Sequence, residues 1–268
     1  MKVGRIAVVG PSLAFPGGIA QHTTELVSRL DEAGLLVEHA SWGRQFPRGA
    51  RPGNRPSPHP GRRSMRETGG APLSHDLHWD RPGSWLKAGR RLRCAADRLV
   101  IVVSSPLQLP AILVLATSFR GTVLSGPTNR DVLLIVHNVL PHDRIRFDQF
   151  LMQQVLRLAD RTIVHSSEEA QLAEEFGARG VIDIRLPLHP PEGLRAGSHP
   201  AGNRRLNTLG FLGYVRPYKG LDILLNALAQ MKSQPRLIVH GEFWEPIQRY
   251  HELIRSLALN ERVDLRPG

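Results

Sequence analysis

LNTLGFLGYVRPYKGLDILLNAL, Leu206 to Leu228, is the stretch on which the reading of this chain turns. Its apolar run Leu209 to Val215, broken by Gly210 and Gly213, suits a buried strand that ends in a tight turn. Arg216, Pro217, Tyr218, Lys219 and Gly220 follow as a short loop, after which Leu221, Leu224, Leu225 and Leu228 recur at helical spacing. Asp222 falls in the first helical turn, where an acid favours the helix dipole. Two cations thus stand in a glycine-flanked loop between a strand and a helix N-terminus, where unused backbone N–H groups suit a phosphate or diphosphate. A solvated strand-to-helix loop with incidental charges has the same spacing, so the rest of the chain must decide.

Outward from that stretch the pattern is strand, loop, helix, repeated. Gly4 to Gly10 (GRIAVVG) is a short apolar run of the kind buried in a parallel sheet. Gly17 and Gly18 lead into IAQHTTELVSRLDEAG, where Ile19, Leu26, Val27 and Leu30 share a helical face and Gly34 is a stop signal. Val37 to Ala40 reads as a second strand. This opening belongs to a doubly wound α/β domain. The glycines lie too late and too close together for the G-x-G-x-x-G fingerprint; the pair offers either bare backbone at a helix N-terminus or a tight turn.

Leu99 to Val103 and Val132 to Val136 are further buried strands, with a helix expected over Leu107 to Phe119, interrupted at Pro110. The second strand runs into His137, Asn138, His142 and Asp143, and polar residues at C-terminal strand ends lie where α/β sheets place ligands. A histidine in that position also serves structure alone. Phe147 to Leu158 reads as a helix and Arg161 to His165 as a strand. Ser166 to Glu169 forms a capping box for the helix to Phe176, before a last strand over Val181 to Leu186. A proline-rich, pattern-poor segment with Pro187, Pro190, Pro191 and Pro200 is a linker. After the opening stretch come a strand over Arg236 to His240 ending at Gly241 and Glu242, a helix over residues 245–257, and a strand from Val263. The expected organisation is a Rossmann-like domain over 1–188, a linker over 189–205, and an incomplete second Rossmann-like domain over 206–268.

The 268 residues, 41% of them hydrophobic, are enough for a sizeable core. Cys94 is the only cysteine, which excludes an internal disulfide and fits a reducing compartment. No apolar stretch approaches the ~20 residues of a membrane span, and the start reads as a first strand rather than a signal peptide. A cytoplasmic protein is expected. Of the net charge of +11, nine lie between Arg44 and Arg93, where eleven arginines and Lys87 face Glu67, Asp76 and Asp80. This Pro- and Gly-rich tract suits an anionic membrane face or a phosphorylated substrate, or an insertion without a specific partner. It lacks a zinc-finger spacing, an RNA-binding aromatic signature or a basic helix with heptads. No His/Cys metal cluster, G-x-S-x-G elbow or Walker loop is legible.

GYVRPYKGLDILLNAL, taken with FPGGIAQHTTEL, IVHNVLPHD, IVHSSEEA and LIVHGE in that family's order, resembles the retaining glycosyltransferases of GT-B fold, glycosyl transferase group 1, of the family 4 type. The resemblance implies two Rossmann-like domains, a UDP- or GDP-sugar donor on the C-terminal one and a glycan or lipid-linked acceptor on the N-terminal one. It implies no metal and no cofactor, because basic side chains and a helix N-terminus neutralise the leaving diphosphate. By the same resemblance Lys219 contacts the donor diphosphate. Arg216 serves as its partner, since Tyr214 stands where the family arginine follows the glycine at Gly213. Gly17 and Gly18 approach the donor phosphates, His137 lies beside the transferred sugar, and Glu242 lies near the nucleotide. The family's E-x7-E element would fall after Gly268, so a truncated second domain is expected. An inactive remnant or partner subunit is then the alternative to an active transferase, and a GT-B sugar epimerase is a further one.

Nucleic-acid binding through the arginine tract is the third alternative, and no specific nucleic acid is expected. That alternative requires affinity that falls steeply with salt; titration of duplex and single strands at low salt tests it, and absence of binding removes it.

Overall fold

The central strands of the first unit are covered on their two sides by different partners, whereas the strand of the opening stretch, Thr208–Leu212, expected to be buried, is exposed or half-exposed along its length. In the computed structural model, which describes residues 4–15, 17–47, 70, 72–121, 130–140, 147–187 and 207–267, the chain divides into two compact units, residues 1–192 and 193–268. The first unit is one seven-stranded sheet with all its strands parallel, in the order β3-β2-β1-β4-β5-β6-β7. These strands are β1 Ile6–Val9, β2 Leu36–Arg44, β3 Leu73–His78, β4 Arg98–Val103, β5 Asp131–Val136, β6 Arg161–Val164 and β7 Val181–Asp183. Its helices are α1 Gly18–Glu32, α2 Pro82–Ala95, α3 Leu109–Arg120, α4 Asp148–Leu158 and α5 Ser167–Glu175.

Strand periodicity divides the core. Ala7, Val9, Leu99, Ile101, Val103, Leu134 and Val136 face one side, where they pack with Leu92, Ile112, Phe119, Val155 and Ala173 from α2 to α5. Val8, Val100, Val102 and Ile135 face the other, against Ile19, Leu26, Val27 and Leu30 of α1. Strands apolar on both faces can only be satisfied by helices on both faces, which is why these runs do not alternate with polar residues. The strand order reverses between β1 and β4, as in the doubly wound fold that the opening residues suggest.

The second unit has a three-stranded parallel sheet in the order β10-β9-β8, made of β8 Thr208–Leu212, β9 Arg236–Gly241 and β10 Val263–Pro267. Helices α6 Leu221–Gln230 and α7 Ile247–Ser256 connect them. Leu221, Leu225 and Leu228 pack with Leu237, Val239, Tyr250 and Ile254, so the leucine spacing of the opening stretch is a core face.

Several expectations are corrected. Pro110 does not interrupt a helix: a 3-10 turn over Pro106–Gln108 precedes α3, and Pro110 sits in its first turn, where no intrahelical N–H is needed. The Arg-rich tract, for which no element is expected from the sequence, holds β3 and α2 in its described part, and β2 extends well beyond Ala40. The strand of the opening stretch stops at Leu212, and Val215 makes only an isolated bridge to Phe243. β7 ends at Asp183, short of Leu186. The linker over 189–205, most of the tract centre (48–69 and 71), and His142 with Asp143 lie outside the described residues. Within the described part of the tract the charges are partly paired, Arg44 with Asp80 at 2.7 Å and Arg91 with Glu38 at 2.6 Å and with Asp76. No described helix is long and apolar enough to cross a membrane.

His39, buried on β2, donates from Nε2 to the Gly10 carbonyl at 3.2 Å and so ties β2 to the end of β1. Burial pushes its pKa from 6.5 down to about 4. The unfolded chain therefore takes up a proton that the folded chain refuses. Its contribution is complete above pH 6.5 and is lost as pH falls towards 4, amounting to about 3 kcal/mol at most for this one group. Urea midpoints of unit 1 should fall between pH 7 and pH 5, and His39→Gln should make that fall shallower. An unchanged pH slope in the variant would refute the assignment.

Candidate functional site

The loop of the opening stretch is held by its neighbour rather than by itself. The residues after β8 and those after β9 run side by side: Gly213 N–H donates to the His240 carbonyl at 3.0 Å. Val215 N–H donates to the Glu242 carbonyl at 2.8 Å, and Trp244 N–H to the Val215 carbonyl at 3.0 Å. The approach is so close that a Cβ on Gly241 would stand 1.8 Å from the Gly213 carbonyl oxygen. Only glycine fits there.

That pairing lays the Arg216 guanidinium on the Trp244 ring, its Cζ 3.4 Å from the ring centroid, with Tyr214 packed 5.5 Å from the same ring. A cation over an indole face is stabilised by roughly 1 kcal/mol when half-exposed, and more as water leaves. Pro217 to Lys219 then form a 3-10 turn, and Gly220, at φ 69°, caps α6. Lys219 is exposed and has no ion-pair partner among the described residues; its Nζ lies 5.4 Å from the Tyr218 ring centroid. Asp222 does not neutralise it, because its carboxylate lies 3.8 Å from Arg249. Glu242 is half-buried on the adjoining loop, and its carboxylate has no partner among the described residues. One oriented guanidinium, one unpaired ammonium and the first-turn N–H groups of α6 make a positive anion-binding edge.

In the first unit all the strands are parallel, so their C-terminal ends lie at one edge. Gly17 holds φ 131° and ψ 160°, a conformation that side chains resist, and caps α1. Gly17 and Gly18 are both exposed, and a Cβ added at either would meet nothing, so both present bare backbone. His137 follows β5. The β5–β6 register pairs Ile135 with Ile163, which brings His137 and His165, each two residues further on, side by side with ring centroids 4.8 Å apart. His22, one turn into α1, completes a group of three: its Nδ1 is 3.3 Å from His137 Nε2. A ring nitrogen from each lies within 4.8 Å of the other two.

Burial first, and then the rings of His165 and His22, push the His137 pKa down to about 3, so its imidazole is neutral at pH 7. His165 Nδ1 donates to the Ile184 carbonyl at 2.9 Å, since a carbonyl can only accept. The ring thereby keeps its proton on Nδ1 and a lone pair on Nε2. That Nε2 is buried with no hydrogen-bond partner among the described residues, a situation that typically costs about 1–3 kcal/mol. The loops carrying these histidines are fixed. Ser166 Oγ caps α5 by accepting from Glu169 N–H at 3.2 Å, and the Glu169 carboxylate accepts from Val139 N–H at 2.5 Å. Beside them at the same edge, Ser12 Oγ lies 3.0 Å from His75 Nε2 and Gln45 Nε2 donates to Ser104 Oγ at 3.0 Å.

The expected residues therefore fall into two groups, Arg216, Lys219 and Glu242 in one unit and Gly17, Gly18 and His137 in the other. The expectation that no histidine cluster exists is corrected. Its members come from α1, β5 and β6, and spacing rules see only ligands close in sequence. Sequence reasoning also missed Trp244. Its signal was an aromatic residue just beyond Gly241-Glu242, at the end of the strand next to the cationic loop.

Gly241→Ala should drive a methyl group into Gly213 and part the two loops, at a cost of about 1–3 kcal/mol. Hydrogen exchange should quicken in residues 207–215 and 236–245 and stay unchanged in β4 and β5. Unchanged protection in the two loops would show that the close approach does not hold them.

No protein-family model and no curated protein sequence matches the chain. Among solved structures, HepE from Anabaena in complex with UDP and glucose superposes with a TM-score of 0.62 at 15% identity, over 98% of this chain and 69% of that one. The lipopolysaccharide outer core galactosyltransferase WaaB gives 0.62 at 13% identity, over 98% and 68%. An α-glucosyltransferase in complex with UDP and a DNA 13-mer gives 0.57 at 14%, over 94% and 60%. Likeness at such identities speaks for the fold alone, and by it the chain has a GT-B-like architecture of two Rossmann-like α/β units.

Proposed function

We propose that the chain is a glycosyltransferase that takes a sugar from a nucleotide-diphosphate donor, UDP- or GDP-linked, and passes it to a hydroxyl of a glycan or lipid-linked acceptor with retention. The observation that carries this is the cationic edge before α6, where Lys219 has no ion-pair partner among the described residues and Arg216 is held over the Trp244 ring. Structural interactions leave Lys219 unaccounted for, whereas a diphosphate accounts for its charge and position.

In the proposed reaction the bond from the anomeric carbon to the diphosphate oxygen breaks. The acceptor oxygen bonds to the same face, and its proton ends on the departing diphosphate. Lys219, Arg216 and the α6 N-terminus offset the charge that grows on the leaving group, so this step asks for no metal or cofactor. Glu242, whose carboxylate has no partner among the described residues, is suited to ribose hydroxyls. Gly17 and Gly18 offer backbone to the donor phosphates. His137, neutral at pH 7, acts towards the sugar as a hydrogen-bond partner and not as a cation. A lipid-linked acceptor would bring the basic chain, net +11, to an anionic membrane face.

Calorimetric titration of UDP, GDP, ADP and their sugars, followed by turnover assays with NMR of the product anomer, tests the reading. Lys219→Ala should lower transfer by ~10²–10³-fold with the fold intact. Failure of every nucleotide at millimolar concentration, or near-normal turnover in the variant, would sink it. Binding without transfer would instead make the chain a nucleotide-binding partner subunit.

A further inference from the structure

We infer that His22, His137 and His165 form a binding site for one borderline divalent transition-metal ion, of the Zn²⁺, Co²⁺, Ni²⁺ or Cu²⁺ class, with a fourth position open. In a tetrahedral site with metal–nitrogen bonds of about 2.0–2.1 Å, neighbouring ligand nitrogens stand about 3.3–3.4 Å apart. His22 Nδ1 and His137 Nε2 are already 3.3 Å apart. The widest nitrogen separation in the group is 4.8 Å, so closure asks for about 1.5 Å of side-chain movement at most.

The chemistry of the donors agrees with the geometry. His165 Nε2 carries a buried lone pair with no partner among the described residues, while its Nδ1–H is committed to the Ile184 carbonyl. Metal-bound histidines have this arrangement: the remote N–H goes to a carbonyl or carboxylate, which fixes the tautomer and aims the other nitrogen. His22 Nδ1 and His137 Nε2 face one another, and an ion bound between them takes the place of the hydrogen bond, with release of its proton as metal binding to histidines entails. Three imidazoles, with no carboxylate in the group among the described residues, select against Mg²⁺, Ca²⁺ and Mn²⁺, which prefer oxygen.

Such an ion would clip the first turns of α1 to the ends of β5 and β6, which pair with each other in the sheet but not with α1. It would also occupy the nitrogen through which His137 would otherwise meet a substrate. The inference goes beyond the donor reading and does not need it: nucleotide binding can fail with metal binding intact, and the reverse.

The test uses the full chain, stripped with chelator. Co²⁺ should bind at one equivalent with the intense visible bands of a tetrahedral ion, and Zn²⁺ should displace it. Pulsed EPR of the Cu²⁺-loaded wild-type chain should show coupling to the remote nitrogens of three histidines, which needs no variant. His165→Ala and His22→Ala should each weaken Zn²⁺ by ~10²-fold or more, at least the loss that disturbing an outer partner causes. Millimolar Mg²⁺ should not compete. Absence of a saturable Co²⁺ or Zn²⁺ equivalent would overturn the inference. So would equal affinity in the histidine variants, Mg²⁺ competition, or Cu²⁺ without histidine coupling.

Discussion

Parallel pairing of strands buried on both faces is the constraint that the rest of the structure depends on. Parallel neighbours need a long crossover between them, usually a helix, and the strands of unit 1 all point one way and end at one edge. Inside the central strands β1, β4 and β5 the side chains are mostly Val, Ile and Leu, although β2 also buries Glu38, His39 and Ser41. Ser12, Gln45, Ser104, His137 and His165 collect where the strands stop. The register does the finer work. Because Ile135 faces Ile163, two histidines at equal offset from their strands meet, and α1, packed on the Val8–Val102 face, brings His22 to them.

The second unit answers the same constraint with fewer strands. β8 and β9 end together, and the close approach of Gly241 to Gly213 leaves their following loops bonded to each other. Arg216 gains its fixed position from that bonding, through Trp244. Lys219 receives no comparable support. A guanidinium held by an aromatic face can orient an anion, whereas a mobile ammonium supplies charge; the loop contains one of each.

The two units also differ in electrostatic character. The histidine edge is partly buried and burial drives the His137 imidazole neutral, so it suits ligands that accept lone pairs or neutral hydrogen bonds. The loop before α6 is exposed and cationic, so it suits anions. The fold likeness to HepE and WaaB extends to the division into two Rossmann-like units, and each unit carries one of these two chemistries.

Much of this was legible in the sequence. The apolar runs at Gly4–Gly10, Leu99–Val103 and Val132–Val136, the leucine spacing of α6, and the capping box at Ser166 are local signals, and local signals survive folding. Lys219 and Arg216 could be nominated because the chemistry of a helix N-terminus depends on residues adjacent in the chain. β3 and α2 were not legible, because their pattern is diluted by polar residues such as His75, Asp76 and Arg91, whose partners lie on other elements. Trp244 under Arg216, and the meeting of His22, His137 and His165, were decided by tertiary structure alone. Both depend on the register between parallel strands, and a parallel pair is joined only through a long crossover whose sequence carries no record of it.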